Sequence, residues 1–197
     1  MVHLPWDRNS LIPFLSESTV TFIYDTYYHN CVNNLNNLSN QYPELKQQNV
    51  PQIISNYPSR TLFNNVASEI LNHEFFFRCL SPNRDIPSGR LYNTIIQQFK
   101  SFENFIQQFT DRVINHFGSG WVWLVFDPTS KFLNVVDGDN AYNPIADGYI
   151  PLLALDIWEH AYIFDYGIDK RDYVNNFWQF INWKYVEQIA SERIFQS

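Results

Sequence analysis

The hydrophobic period of this chain switches from helical to β-like at Gly118-Ser119-Gly120, and that change limits the folds open to it. Before the glycines the apolar residues recur at helical spacing. Val20, Ile23, Tyr24, Tyr27, Tyr28, Cys31, Val32 and Leu35 form one stripe within residues 16–45, with Ser16-Glu17-Ser18 as N-cap candidates. An asparagine-rich tract, 33–40, is expected to end that helix. Val66, Ile70, His73 and Phe77 share a face of a second helix over 62–80. Leu91, Ile95, Phe99, Phe102, Phe105, Ile106, Phe109, Val113 and Ile114 mark one or two more over 90–116. After the glycines come short β-rich runs. Trp121–Phe126 and Phe132–Val136 flank Asp127-Pro128-Thr129-Ser130, a turn sequence that predicts a hairpin. A third run, Tyr149–Leu155, leads straight into Asp156, and Pro151 within it predicts an edge position or an irregular start. The segment 172–195 is helical and aromatic again. Helices, then a helix with a small antiparallel sheet, then helices is an α+β order. The turn-rich stretch Ser81–Gly89 divides the chain into parts spanning 1–82 and 83–197.

Composition narrows the function classes. The 197 residues are 45% hydrophobic and 17% charged, which requires a packed core and excludes a disordered chain. A net charge of −7, with no basic cluster beyond the pair Lys170-Arg171, argues against a strong nucleic-acid contact. No apolar run reaches the roughly 18 residues of a membrane span. Cys31 and Cys79 stand far apart and form neither a disulfide framework nor a zinc-finger spacing, which fits reducing surroundings. The first residues carry no signal-peptide or presequence pattern.

His160 follows Asp156 by four residues, and His73 lies in Asn72-His73-Glu74-Phe75. Two imidazoles and one carboxylate form a ligand set suited to iron or manganese. Spacing alone leaves two readings open: a metal site, or histidines packed and hydrogen-bonded in a core.

The run Asp156-Ile-Trp-Glu-His160-Ala-Tyr162 resembles the DxWEHAY motif of iron/manganese superoxide dismutases. Asn72-His73-Glu-Phe75, Phe117-Gly-Ser-Gly-Trp121-Val-Trp-Leu124, Phe177-Trp-Gln-Phe-Ile-Asn-Trp183, Val32-Asn-Asn-Leu-Asn36 and the opening Leu4-Pro5 support it in the family's order. The resemblance implies an N-terminal helical hairpin followed by an α/β domain with a three-stranded antiparallel sheet. It carries His73, Asp156 and His160 onto three of four protein ligands. The fourth, a histidine, falls on Ile23, which cannot ligate. His29 is six residues further on and points about 120° away on a helix. The gateway tyrosine falls on Cys31. A glutamine often found near the metal falls on Glu69, and Trp121 is kept. At the family's dimer seam Glu159 is kept, while Tyr27, Tyr28 and Ile163 replace other residues.

These departures lead to the expectation of a catalytically inactive, superoxide dismutase-like structural subunit. Its home would be a large mitochondrial assembly in the matrix, the ribosomal small subunit before a respiratory complex. It would hold no cofactor, or at most one iron or manganese ion, and would pair as a heterodimer with a second chain of the same kind. The alternative is a divergent iron or manganese superoxide dismutase with a three-ligand site.

Overall fold

Ser16 opens the first helix by accepting a hydrogen bond from the Thr19 amide. The structure, a computed structural model, describes residues 1–195. The helix runs as α1 (Glu17–Thr21), widens into a π-helical segment (Phe22–Tyr28), and continues as α2 (His29–Gln41). It therefore passes through the asparagine-rich tract instead of stopping there. Asparagine is a weak helix former, but Leu35 and Leu38 in that tract pack against the cluster of Leu45, Ile53, Ile54 and Ala67. Tertiary packing outweighs the local propensity. A short 3₁₀ turn (Pro43–Gln47) follows. Next comes α3 (Val50–Asn56), which Val50-Pro51 had suggested only as punctuation. Asn49 and Gln52 close a capping box around its start, and Pro51 sits in the first turn, where its missing N–H costs nothing.

The second long helix, α4 (Leu62–Cys79), returns against α2 to complete a helical hairpin. Then α5 (Gly89–Phe99) and α6 (Phe102–Asn115) lead to the sheet. Leu91, Ile95, Phe105, Phe109 and Val113 from their apolar stripe are all buried. Gly118, at φ +83°, makes the left-handed turn between α6 and the first strand.

The sheet has the order β2-β1-β3, all antiparallel, from β1 (Gly120–Asp127), β2 (Phe132–Asp139) and β3 (Ile150–Asp156). Pro151 does sit on an edge strand, and the β1–β3 register shifts beside it, between Leu124 and Val125. Central β1 is buried from Gly120 to Val125. On the sheet, α4 and α9 (Trp183–Arg193) pack against β3, and α6 packs across β1 and β2. Between β3 and α9 come α7 (Glu159–Tyr166) and α8 (Lys170–Phe177). The result matches the expected α+β class, a helical hairpin followed by an α/β part with a three-stranded antiparallel sheet. Among the described residues no helix is long and apolar enough to cross a membrane.

Candidate metal centre

Three elements bring the site together. His73 projects from the buried face of α4, Asp156 ends β3 opposite Trp121, and His160 lies in the first turn of α7. The Asp-x-x-x-His spacing works because the strand ends at the aspartate and the helix starts three residues later. Asp156 Oδ1 ties that junction by accepting the Trp158 amide at 2.9 Å. Tyr173 adds a second tie, its hydroxyl donating to the Asp156 carbonyl at 2.9 Å.

The other carboxylate oxygen is left free. Asp156 Oδ2 stands 3.5 Å from His73 Nε2 and 3.4 Å from His160 Nε2, and none of these three atoms has a hydrogen-bond partner. One donor atom from each residue lies within 4.8 Å of the others. His73 and Asp156 are fully buried. The tautomer of His73 follows from its surroundings. Nδ1 lies 2.7 Å from the Glu69 carbonyl, which can only accept, so Nδ1 carries a proton and Nε2 is the atom turned toward Asp156. Burial pushes the Asp156 carboxyl up, but His160 and then His73 outweigh it and hold the group at about 2.

Aromatic rings wall the site. Trp121 stands edge-on to His73 at 5.0 Å, and Trp158 stacks on His160 at 5.7 Å. Tyr27 packs against both ligand rings, 4.4 Å from His160 and 5.2 Å from His73. Glu69, one turn before His73, is buried beside the Trp121 indole, and both of its carboxylate oxygens are unpaired. Burial pushes this carboxyl up to about 8, with His73 opposing and Asp156 adding. Burial also raises the Cys31 thiol, to about 12, with Glu69 adding to it. A cavity of about 680 Å³ opens onto this side, lined by Tyr27, Cys31, Glu69 and Trp158, with Arg60 as its cationic group.

The structure rearranges the expected dimer seam. Tyr28 is fully buried; its hydroxyl donates to Glu74 at 2.7 Å and accepts the Val2 amide, so it offers no surface to a partner. Tyr27 faces the ligands and the cavity. Ile163 is exposed, and the exposed Glu159 accepts from Ser119. His29 packs on Tyr24 and Tyr28, away from the ligand set. Ile23 is buried in the main core and brings no donor atom. Sequence reasoning missed that the Tyr27 ring packs on His73 and His160. The available signal was its four-residue step from Ile23, one helical turn along the same face.

Residues 1–81 match the alpha-hairpin domain of iron/manganese superoxide dismutases, and residues 87–189 match the C-terminal domain of the same enzymes. The chain belongs to the iron/manganese superoxide dismutase family. It is 41% identical to "Superoxide dismutase [Fe]" of Coxiella burnetii, over 93% of both chains. It is 38% identical to "Superoxide dismutase [Fe]" of Bacteroides fragilis, over 95% of this chain and 97% of the relative. It is 40% identical to "Superoxide dismutase [Mn/Fe]" of Rickettsia bellii, over 94% of this chain and 90% of the relative. The expectation of an inactive structural subunit in a mitochondrial assembly is overturned. Relatives of this closeness and coverage carry the name of the enzyme, and the three retained ligands converge with bare donor atoms instead of being absorbed into core hydrogen bonds.

Proposed function

We propose that this chain is an iron or manganese superoxide dismutase working with a divergent metal site. One observation carries the reading: His73 Nε2, His160 Nε2 and Asp156 Oδ2 converge, unpartnered, in a pocket walled by aromatic rings. Leaving three buried polar atoms unpaired is costly, and a cation is the partner that suits two imidazoles and a carboxylate. The residues therefore fit iron or manganese, as the names of the relatives also suggest. Such an ion, when held by His73, Asp156 and His160, supplies the one-electron couple that turns two superoxide anions and two protons into oxygen and hydrogen peroxide.

The remaining roles belong to the chain. The Glu69 carbonyl orients His73 through Nδ1, and His160 and His73 hold the Asp156 carboxyl low against its burial. Arg60, paired with Asp139 at 3.5 Å, stands at the cavity mouth. Glu69, with its raised pKa, can hold a proton at neutral pH next to that cavity. The test is superoxide-dependent turnover of iron-loaded and manganese-loaded protein, measured against the free ions. Turnover that disappears in Asp156→Asn, together with retained metal, is the expected result. Loaded protein no faster than free ions overturns the reading.

We also propose that a second copy of this chain, not a different one, pairs with it. The case for a non-identical partner drew on Tyr27, Tyr28 and Ile163, and the two tyrosines point inward. An exposed apolar strip of Phe22, Ile163 and Phe164 beside Glu159 supports a self-complementary seam.

A further inference from the structure

We propose that Tyr27 supplies the fourth protein ligand, its phenolate completing the shell begun by His73, Asp156 and His160. The proposal deepens the dismutase reading, since it concerns the same ion.

The first helix presents Ile23, Tyr27 and Cys31 at steps of four residues. Ile23 has nothing to donate. Cys31 and Glu69 line the neighbouring cavity, yet neither joins the set of donor atoms that lie within 4.8 Å of one another. Tyr27 is an oxygen-bearing side chain of that helix whose ring packs on both imidazoles. Its ring lies 4.4 Å from His160, 5.2 Å from His73 and 6.0 Å from Trp158. The π-helical segment, Phe22–Tyr28, holds it there. Segments of this kind replace the usual hydrogen-bond register and concentrate at functional sites. Tyr27 also lines the open cavity.

The chemistry balances without a redox partner. The phenol O–H bond breaks, the oxygen bonds the cation, and the proton leaves through the cavity to solvent. Tyrosine is an established iron donor in other sites, and a bound cation favours the anionic form of its ligands.

Two spectra test this on the iron(III)-loaded full chain. A tyrosinate-to-iron(III) charge-transfer band in the visible, with tyrosinate vibrations enhanced when resonance Raman excitation falls within it, is expected for the native sequence. Both features should vanish in Tyr27→Phe, with iron affinity reduced about tenfold or more. They should persist in Tyr28→Phe, whose hydroxyl is engaged with Glu74. A native spectrum without the band, or a band that survives in Tyr27→Phe, overturns the assignment. Turnover without the band removes the ligand and leaves the dismutase. A band without turnover keeps the ligand and removes the dismutase.

Discussion

Replacing Glu69 by glutamine should make the metal-free protein more stable at alkaline pH and nearly unchanged at acid pH. Burial raises the Glu69 carboxyl from an ordinary 4.5 to about 8. Between those values the folded chain keeps a proton that the unfolded chain has released. The stability tied to this group is thus fully present below pH 4.5 and is lost as pH rises through 8. A gap of that size corresponds to about 5 kcal/mol at most. The adjoining cavity admits water that screens part of the charge, so the expected loss is about 3 kcal/mol. Glutamine has the shape of the protonated acid and no charge to acquire. Urea denaturation of metal-free native and Glu69→Gln protein at pH 5 and pH 8.5 isolates the effect, because every other titrating group is common to both. The difference between the two should be about 0.8 kcal/mol at pH 5 and about 3 kcal/mol at pH 8.5, both in favour of glutamine. Equal differences at both pH values would refute the reasoning. Bound iron should flatten the native curve, since a cation beside Glu69 lowers the cost of its charge.

Two further perturbations probe the surroundings. Gly138→Ala would drive a methyl group into the Tyr142 ring across the cavity wall, and we expect thermal or chemical denaturation to register a loss of about 1–3 kcal/mol. Ile163→Lys places a charge in the proposed self-complementary seam, and sedimentation should report a shift from dimer toward monomer with the fold intact by circular dichroism.

The parts of this protein that were legible in the sequence are those governed by spacing. Asp156 and His160 sit at a strand end and a helix start, and a short apolar run ending in aspartate predicts that junction directly. The hairpin follows from Asp127-Pro128-Thr129-Ser130, and the edge position of β3 follows from Pro151. What could not be read depends on contacts distant in sequence. Tyr27 and Tyr28 are neighbours with the same side chain, yet one faces the ligands and the other is sealed in the core. The difference comes from Glu74 and Val2, 46 and 26 residues away, which capture the Tyr28 hydroxyl. The continuation of α2 through asparagines likewise depends on a cluster supplied by α3 and α4. The π-helical register of 22–28 leaves no mark in hydrophobic periodicity, because it changes the hydrogen-bond partner and not the buried residues.

The same bare atoms that define the site also link metal binding to folding. In the metal-free chain the two Nε2 atoms and Asp156 Oδ2 have lost water and gained no hydrogen bond, and the Glu69 oxygens share that condition. Each such atom costs about 1–3 kcal/mol relative to a satisfied one. The aromatic packing of Trp121, Trp158 and Tyr27 around them has to offset that cost for the metal-free fold to persist. A cation that binds the folded state and not the unfolded one removes the penalty and adds its own binding free energy. On the proposed reading, a cation at His73, Asp156 and His160 would turn unpaired buried atoms into stabilising ones. Asn64, Asn72 and Asn143, which are also buried and polar, differ in that their amides are tied to backbone or to each other, and they gain nothing from a metal. The contrast between these bonded amides and the bare ligand atoms separates structural from functional polarity in this core.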